Sequence, residues 1–323
     1  MAKDMLRKGS IHCVAKEAGV SIVTVSRVFN DYPHVSARMR ERVLSAAREC
    51  GYTPRVVSKP RVLGALVGHL DSLTAGDYKT RLILYIVQAA ARSGYLVEFI
   101  PQTAIELATK SLVNGIIQIA LTPQDAEALD ALPKVPTVVI NGALADPSWY
   151  LVGSDHYEEA RVACLYLLAR GHRRIGLVLD ELEGWGVENR ARGYRDAMQS
   201  AGVATVPEPL AADRLSPSEI ADGLQHLDAT ACLNFTDNYG LAVLDHLVVE
   251  RAVSIPADLS VICLEDSAVS PFYHPRLTTV AQPLDRIAGC VVETIAHLLD
   301  KKEVSRETLF ESRLIERHSV TAP

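Results

Sequence analysis

Between residues 62 and 323, short apolar runs alternate with longer stretches that turn an apolar face every three to four residues. The runs at 62–67, 96–100, 115–120, 137–140, 175–179, 231–234 and 260–264 read as strands. They are nearly continuous in apolar side chains, the pattern of strands covered on both faces. The stretches at 81–92, 157–169, 191–201, 237–250 and 284–299 read as amphipathic helices. This alternation restricts the chain to one fold class, α/β, with parallel sheets flanked by helices. A segment of this length is long for a single such layer.

The first 61 residues differ in kind. The whole chain carries a formal charge of −6, which argues against nucleic acid as a partner. By segment the sign splits. Residues 1–61 hold twelve Lys and Arg against five Asp and Glu, a net +7, and the remainder carries −13. The basic segment reads as three short helices. Ser10 caps a helix over 11–18, Ser21 one over 22–29, and Ser36 one over 37–50. Gly19-Val20 turns the first into the second, and Asn30, Asp31 and Pro33 break the second from the third. Two short helices joined by a glycine turn form a helix-turn-helix, whose second helix suits the DNA major groove.

Other classes are excluded or left without support. No apolar run approaches the roughly 20 residues of a bilayer span, and no apolar segment follows the charged start as a secretory signal requires. The six cysteines (13, 50, 164, 232, 263 and 290) lack a CxxC spacing and are expected as reduced, buried thiols in the cytoplasm, with no metal and no cofactor. GxSxG, HExxH and Walker A patterns are missing, and Gly184-Trp185-Gly186 lacks the third glycine of a dinucleotide fingerprint. Glu158 and Glu159, adjacent on a helix, are expected as ordinary surface charges. No catalytic activity is expected.

Several motifs, in order, carry a resemblance: residues 14–21 (VAKEAGVS), 24–30 (TVSRVFN), Val35-Ser36, 42–44, 51–54 (GYTP), 63–67, 113–117, 170–176 (RGHRRIG), 190–194 (RARGY), 255–262, 275–283 and Arg317-His318-Ser319. Together these resemble the LacI/GalR (lactose-repressor) family of bacterial transcription regulators, along nearly the whole chain. The resemblance implies a helix-turn-helix headpiece at 1–54, a linker at 55–61, and a core at 62–323. The core would be two parallel α/β lobes around a cleft, as in periplasmic sugar-binding proteins, and would bind an effector and dimerise. The implied partners are palindromic double-stranded operator DNA, a sugar-like small molecule and a second copy of the chain. No leucine-heptad segment follows Arg317-His318-Ser319, so a dimer rather than a tetramer is expected.

Carried over residue by residue, Ile22, Val23 and Arg27 fall where base edges are read. Ser21, Thr24, Ser26, Asn30, His34 and Ser36 fall where phosphates are held, and the linker's Arg55 is also expected to bind DNA. Arg can donate two bonds to guanine, while Ile and Val can only touch a thymine methyl. Val25 and Val28 occupy the inner face of that helix, which favours exposure of Ile22 and Val23. The linker departs from the family. Only residues 55–61 separate Pro54 from the first core strand, and Pro60 biases Lys59 away from helix, so a hinge helix is expected to be rudimentary or absent.

In the core, the resemblance places Asp71, Tyr78, Asn141, Trp185, Arg190, Thr236, Asp237, Glu265 and Gln282 at effector-facing positions. Asn141 stands where relatives commonly carry Asp, Thr236 where Asn is usual, and Glu265 where Asp is common. For Arg190 the alternatives are ligand binding or an ion pair with Glu188 or another carboxylate. For Trp185, on a loop before the Arg190 helix, they are stacking on a sugar ring or packing.

Overall fold

A computed structural model describes residues 9–30, 32, 35–52, 61–68, 76–101, 104–105, 113–119, 134–180, 184–234 and 238–323. The chain divides into two compact units, residues 1–61 and 62–323.

The first unit holds α1 (Ile11–Glu17), α2 (Ile22–Phe29) and α3 (Ala37–Glu49). Each begins where a serine can take up an orphaned backbone N–H. Ser10, Ser21 and Ser36 accept from the backbone N–H of Cys13, Thr24 and Met39 at 3.3, 3.0 and 3.3 Å. Gly19 has φ of +61°, the left-handed conformation that a sharp turn between α1 and α2 requires. Val14, Ala18, Val25, Val28, Val43 and Ala47 form the core of the three helices. Cys13 on α1 and Cys50 at the end of α3 are joined as a disulfide, with Cα atoms 6.1 Å apart. This corrects the expectation of six reduced thiols. The packing of α1 against α3 brings two residues 37 apart in sequence into bonding range. Cys164, Cys232 and Cys263 are free and buried; burial pushes the Cys164 and Cys232 thiols up to about 12.

In the second unit the strands are β1 (Arg61–Val67), β2 (Tyr95–Pro101), β3 (Gly115–Ile119), β4 (Thr137–Ile140), β5 (Tyr150–Ser154), β6 (Ile175–Leu179), β7 (Leu210–Ala211), β8 (Ala231–Asn234), β9 (Ser260–Cys263), β10 (Thr278–Ala281), β11 (Glu307–Phe310) and β12 (Arg313–Ile315). The helices are α4 (Tyr78–Arg92), α5 (His156–Ala169), α6 (Trp185–Ser200), α7 (Pro217–His226), α8 (Asn238–Asp245), continued by a π turn at His246–Glu250, and α9 (Leu284–Leu299). They build two six-stranded sheets, ordered β11-β5-β4-β3-β1-β2 and β12-β10-β9-β8-β6-β7. Neighbouring strands from β1 through β3, β4 and β5 to β11 are parallel, as are those from β7 through β6, β8 and β9 to β10, while β12 joins β10 antiparallel.

Each sheet is covered on both faces, which explains the continuous apolar runs. In the second sheet Ile175, Leu177 and Leu179 pack with α5 and α6, while Val178, between them in sequence, packs with α7 and α8. In the first, Ile117 and Ile119 meet α4 and α9, and Ile116 joins Leu66, Ile100 and Trp149 on the other side. The chain passes between the sheets three times: from β5 into α5, from β10 into α9, and from β11 to β12.

Helices α5 and α6 lie in close contact. A Cβ placed on Gly193 would fall 2.1 Å from the Tyr157 carbonyl oxygen and 3.2 Å from the Arg161 nitrogen. Both neighbours are backbone and cannot yield without moving a helix. Gly193→Ala is therefore expected to destabilise the core by about 1–3 kcal/mol through overpacking. A urea titration followed by circular dichroism checks this, and an unchanged midpoint would refute the close approach.

Candidate functional site

In the first unit, α2 presents a mixed face. Val25 and Val28 are buried, whereas Ile22 is 41% and Val23 59% exposed. Arg27 is also exposed, its guanidinium 5.8 Å from the Tyr32 ring centre. Exposed Ile and Val on a basic helix are not explained by the headpiece core, which is complete without them. The Ser21 hydroxyl, besides capping α2, bonds the Thr24 hydroxyl at 2.9 Å. That pair shares one proton between its oxygens and retains the other for an outside acceptor. The Asn30 amide donates to the Ser26 carbonyl and hydroxyl at 2.8 and 3.1 Å. Ser36 caps α3 at the surface. His34 and linker residues 55–60, Arg55 among them, lie outside the described residues, so the hinge expectation does too.

In the second unit, polar side chains gather where the chain crosses between lobes. Asn141 follows β4 with φ of +50°, a conformation Asn tolerates better than most residues. Its Oδ1 accepts the Ser154 backbone N–H at 2.7 Å, and its Nδ2 donates to the Tyr78 hydroxyl and, at 3.2 Å, to Gln282 Oε1. Gln282 Oε1 also accepts from the Ser154 hydroxyl at 2.8 Å. Burial raises the Tyr78 phenol well above its ordinary range, with the Asn141 hydrogen bond opposing. Thus Tyr78 and Gln282 both meet Asn141, with Ser154 as a fourth partner that sequence reasoning did not name.

Arg190 is buried on α6, and its Nη2 lies 3.2 Å from Glu159 Oε2 on α5. Of the alternatives set out for Arg190, the ion pair is present, and its partner is Glu159. The Glu188 carboxylate instead accepts the Gly184 N–H at 3.2 Å. The expectation that Glu159 is a surface charge is corrected: its side chain is fully buried, whereas Glu158 is partly exposed and binds Arg161 at 2.9 Å. The signal was present in the periodicity. His156, Glu159, Ala160, Ala163, Cys164, Leu167 and Leu168 form one buried stripe at helical spacing. His156 Nδ1 lies 2.6 Å from Glu159 Oε2. Trp185 begins α6 rather than preceding it in a loop, because the helix starts one and a half turns earlier than its apolar pattern suggested. Its ring meets His156 edge-on at 5.5 Å.

Glu265, buried after β9, lies 3.9 Å from Arg81 on α4, and Arg81 also donates to the Asp266 carbonyl. The Asp266 carboxylate binds Arg317 at 2.7 Å and accepts from the Thr279 hydroxyl at 2.9 Å. The Arg81 contacts join the two lobes, while the Asp266–Arg317 and Asp266–Thr279 contacts lie within the second. Asp71, Thr236 and Asp237 lie outside the described residues.

A helix-turn-helix unit followed by a two-lobed α/β unit with polar residues at the lobe crossings defines a ligand-sensing transcription regulator. Comparisons with known proteins agree. Residues 10–55 match the model for bacterial regulatory proteins of the lacI family, and residues 165–320 match that for a periplasmic binding protein-like domain. The chain is 28% identical to the HTH-type transcriptional regulator GalR of Escherichia coli K12, covering 97% of this chain and 96% of GalR. It is 25% identical to the regulator AscG of the same organism, covering 96% and 98%. Among solved structures it superposes on the lac repressor dimer bound to operator and the anti-inducer ONPF, with a TM-score of 0.77 and 25% identity over 96% and 98% of the two chains. Over nearly its whole length the chain is similar to bacterial transcription regulators of the LacI/GalR family, and residues 10–55 match that family's own model.

Burial, and then the Arg190 charge, lower the His156 pKa from its ordinary 6.5, against the opposing pull of Glu159. The folded core therefore holds this imidazole neutral. Below about pH 6.5 the unfolded chain takes up a proton that the folded chain refuses, so stability falls as pH drops. His156→Asn keeps an N–H toward Glu159 and removes the titration. Its loss of thermal stability between pH 7 and pH 5 is expected to be smaller than that of the unaltered protein; equal losses would contradict a neutral His156.

Proposed function

We propose that this protein is a sequence-specific transcription repressor whose operator affinity is set by a small molecule, a sugar or sugar derivative, bound between the core lobes. It acts as a homodimer in the cytoplasm, each α2 entering the major groove of one half of a palindromic operator. It has no catalytic role. The domains divide the work: 1–54 reads DNA, 55–61 links, and 62–323 senses and dimerises.

The observation that carries this reading is the exposed Ile22-Val23-Arg27 face in an N-terminal segment, residues 1–61, of net +7, within an otherwise acidic chain. Charge brings the headpiece to phosphate and keeps the core away from it. Ser21, Thr24, Ser26, Asn30, His34, Ser36 and Arg55 are assigned to the phosphates, which position the headpiece without reading sequence. Ile22 and Val23 are assigned to thymine methyls and Arg27 to guanine. In the cleft, Tyr78, Asn141, Arg190, Glu265 and Gln282, with Asp71, Trp185, Thr236 and Asp237, are assigned to the effector. The Tyr78–Asn141–Gln282–Ser154 network offers the mixture of donors and acceptors that hydroxyl groups require. The relatives point the same way: one matched structure holds the regulator CelR with cellobiose.

An operator recovered by selection from random DNA tests the headpiece. Arg27→Ala is expected to cost about 1–3 kcal/mol and to relax one G·C position. Replacing a half-site thymine by uracil is expected to weaken binding at the position that Ile22 or Val23 covers. Full affinity at every uracil position would remove the methyl contact, and unchanged specificity in Arg27→Ala would remove the guanine contact.

A further inference from the structure

The cleft is charge-balanced by design of its neighbours rather than open as a cationic socket. Arg190 is matched by Glu159, Arg81 by Glu265, and Arg317 by Asp266. Each of these three arginines thus has a carboxylate oxygen within 3.9 Å. The charges of Glu265, Arg190 and Glu159 all act on the Tyr78 phenol, which joins the Arg190 group and the Tyr78–Asn141–Gln282 network in one environment. His156 adds no charge while neutral.

Glu159 is the member of this set best placed to matter. Its side chain is fully buried, and one oxygen, Oε2, serves both His156 and Arg190. The other oxygen, Oε1, is buried with no hydrogen-bond partner. A buried carboxylate with one oxygen unsatisfied is costly, and its compensation here is the adjacent guanidinium. An anionic ligand reaching for Arg190 would meet Glu159 at almost the same distance. It would bring a second negative charge into a region that water does not screen.

We propose that Glu159 determines the charge class of the effector: by cancelling Arg190 it makes the cleft a receptor for an uncharged, hydroxyl-rich molecule and excludes phosphorylated and carboxylated ones. This rests on the reading of the cleft as the ligand site. Arg190 then acts as a hydrogen-bond donor of fixed direction, and Glu159 is a positioning and specificity residue. Gln is the informative replacement. Its carbonyl oxygen can occupy the Oε2 position and keep both contacts, while the negative charge is removed.

The test uses the full chain and measures thermal stabilisation by inorganic phosphate, hexose 6-phosphates, uronic acids and the matching neutral hexoses and disaccharides at constant ionic strength. The unaltered protein is expected to show no stabilisation by millimolar phosphate or sugar phosphate. Glu159→Gln is expected to gain anion binding at least tenfold, and Arg190→Gln in that background to lose the gain. Stabilisation of the unaltered protein by the anions, equal to or above that by their neutral counterparts, overturns the proposal without need of any variant. So does a folded Glu159→Gln protein with no anion gain. An anion gain that Arg190 controls, with no neutral sugar bound by the unaltered protein, supports the charge role of Glu159 and counts against the sugar-effector reading alone.

Discussion

Two parallel sheets built from one chain must exchange that chain, and the crossings govern the rest of this molecule. A parallel sheet needs a crossover for every strand, and covering both faces with helices leaves its strand ends as the places where polar groups can gather. Here two of the three passages, β5 into α5 and β10 into α9, bring Ser154 and Gln282 to the same region. The residues that hold these passages in place are also the polar residues of the cleft. A ligand that rearranges Asn141, Gln282 or Arg81 therefore acts on the joints between lobes, which is the requirement for coupling a binding event to a distant surface.

Much of the fold was legible because burial on both faces writes a simple pattern. Strands β1, β3, β4, β6, β8 and β9 are buried over most of their length and mainly apolar, and so announce themselves. Strand β5, though buried, and the elements without such runs are not among the strands expected from sequence. Strand β10 begins with two threonines, buried despite their hydroxyls, and β11 and β12 are half-exposed edge strands. Helix α7 is signalled by the Ser216 cap and Glu219 capping box rather than by its apolar face. The headpiece was read to within a residue at each helix end because glycine, proline and three serine caps punctuate it.

The site was legible in part. Tyr78, Asn141 and Gln282 come from three distant segments, and only the resemblance to a family named them together. Glu159 is hard to single out in sequence because a charged pair on a helix is ordinarily solvated, yet its position in the buried stripe of α5 marks it. The Cys13–Cys50 pairing was hidden for a related reason: spacing of 37 residues carries no motif, and only the packing of α1 on α3 makes the two neighbours.

The central claim is that DNA reading by α2 and ligand binding in the core are linked. Fluorescence anisotropy of the selected operator, titrated with the full-length protein at fixed salt with and without neutral sugars, measures the linkage directly. The account predicts that at least one neutral sugar shifts operator affinity about fivefold or more, and that Arg190→Gln abolishes the shift while operator binding without sugar persists. Sugar binding that leaves operator affinity unchanged would contradict it.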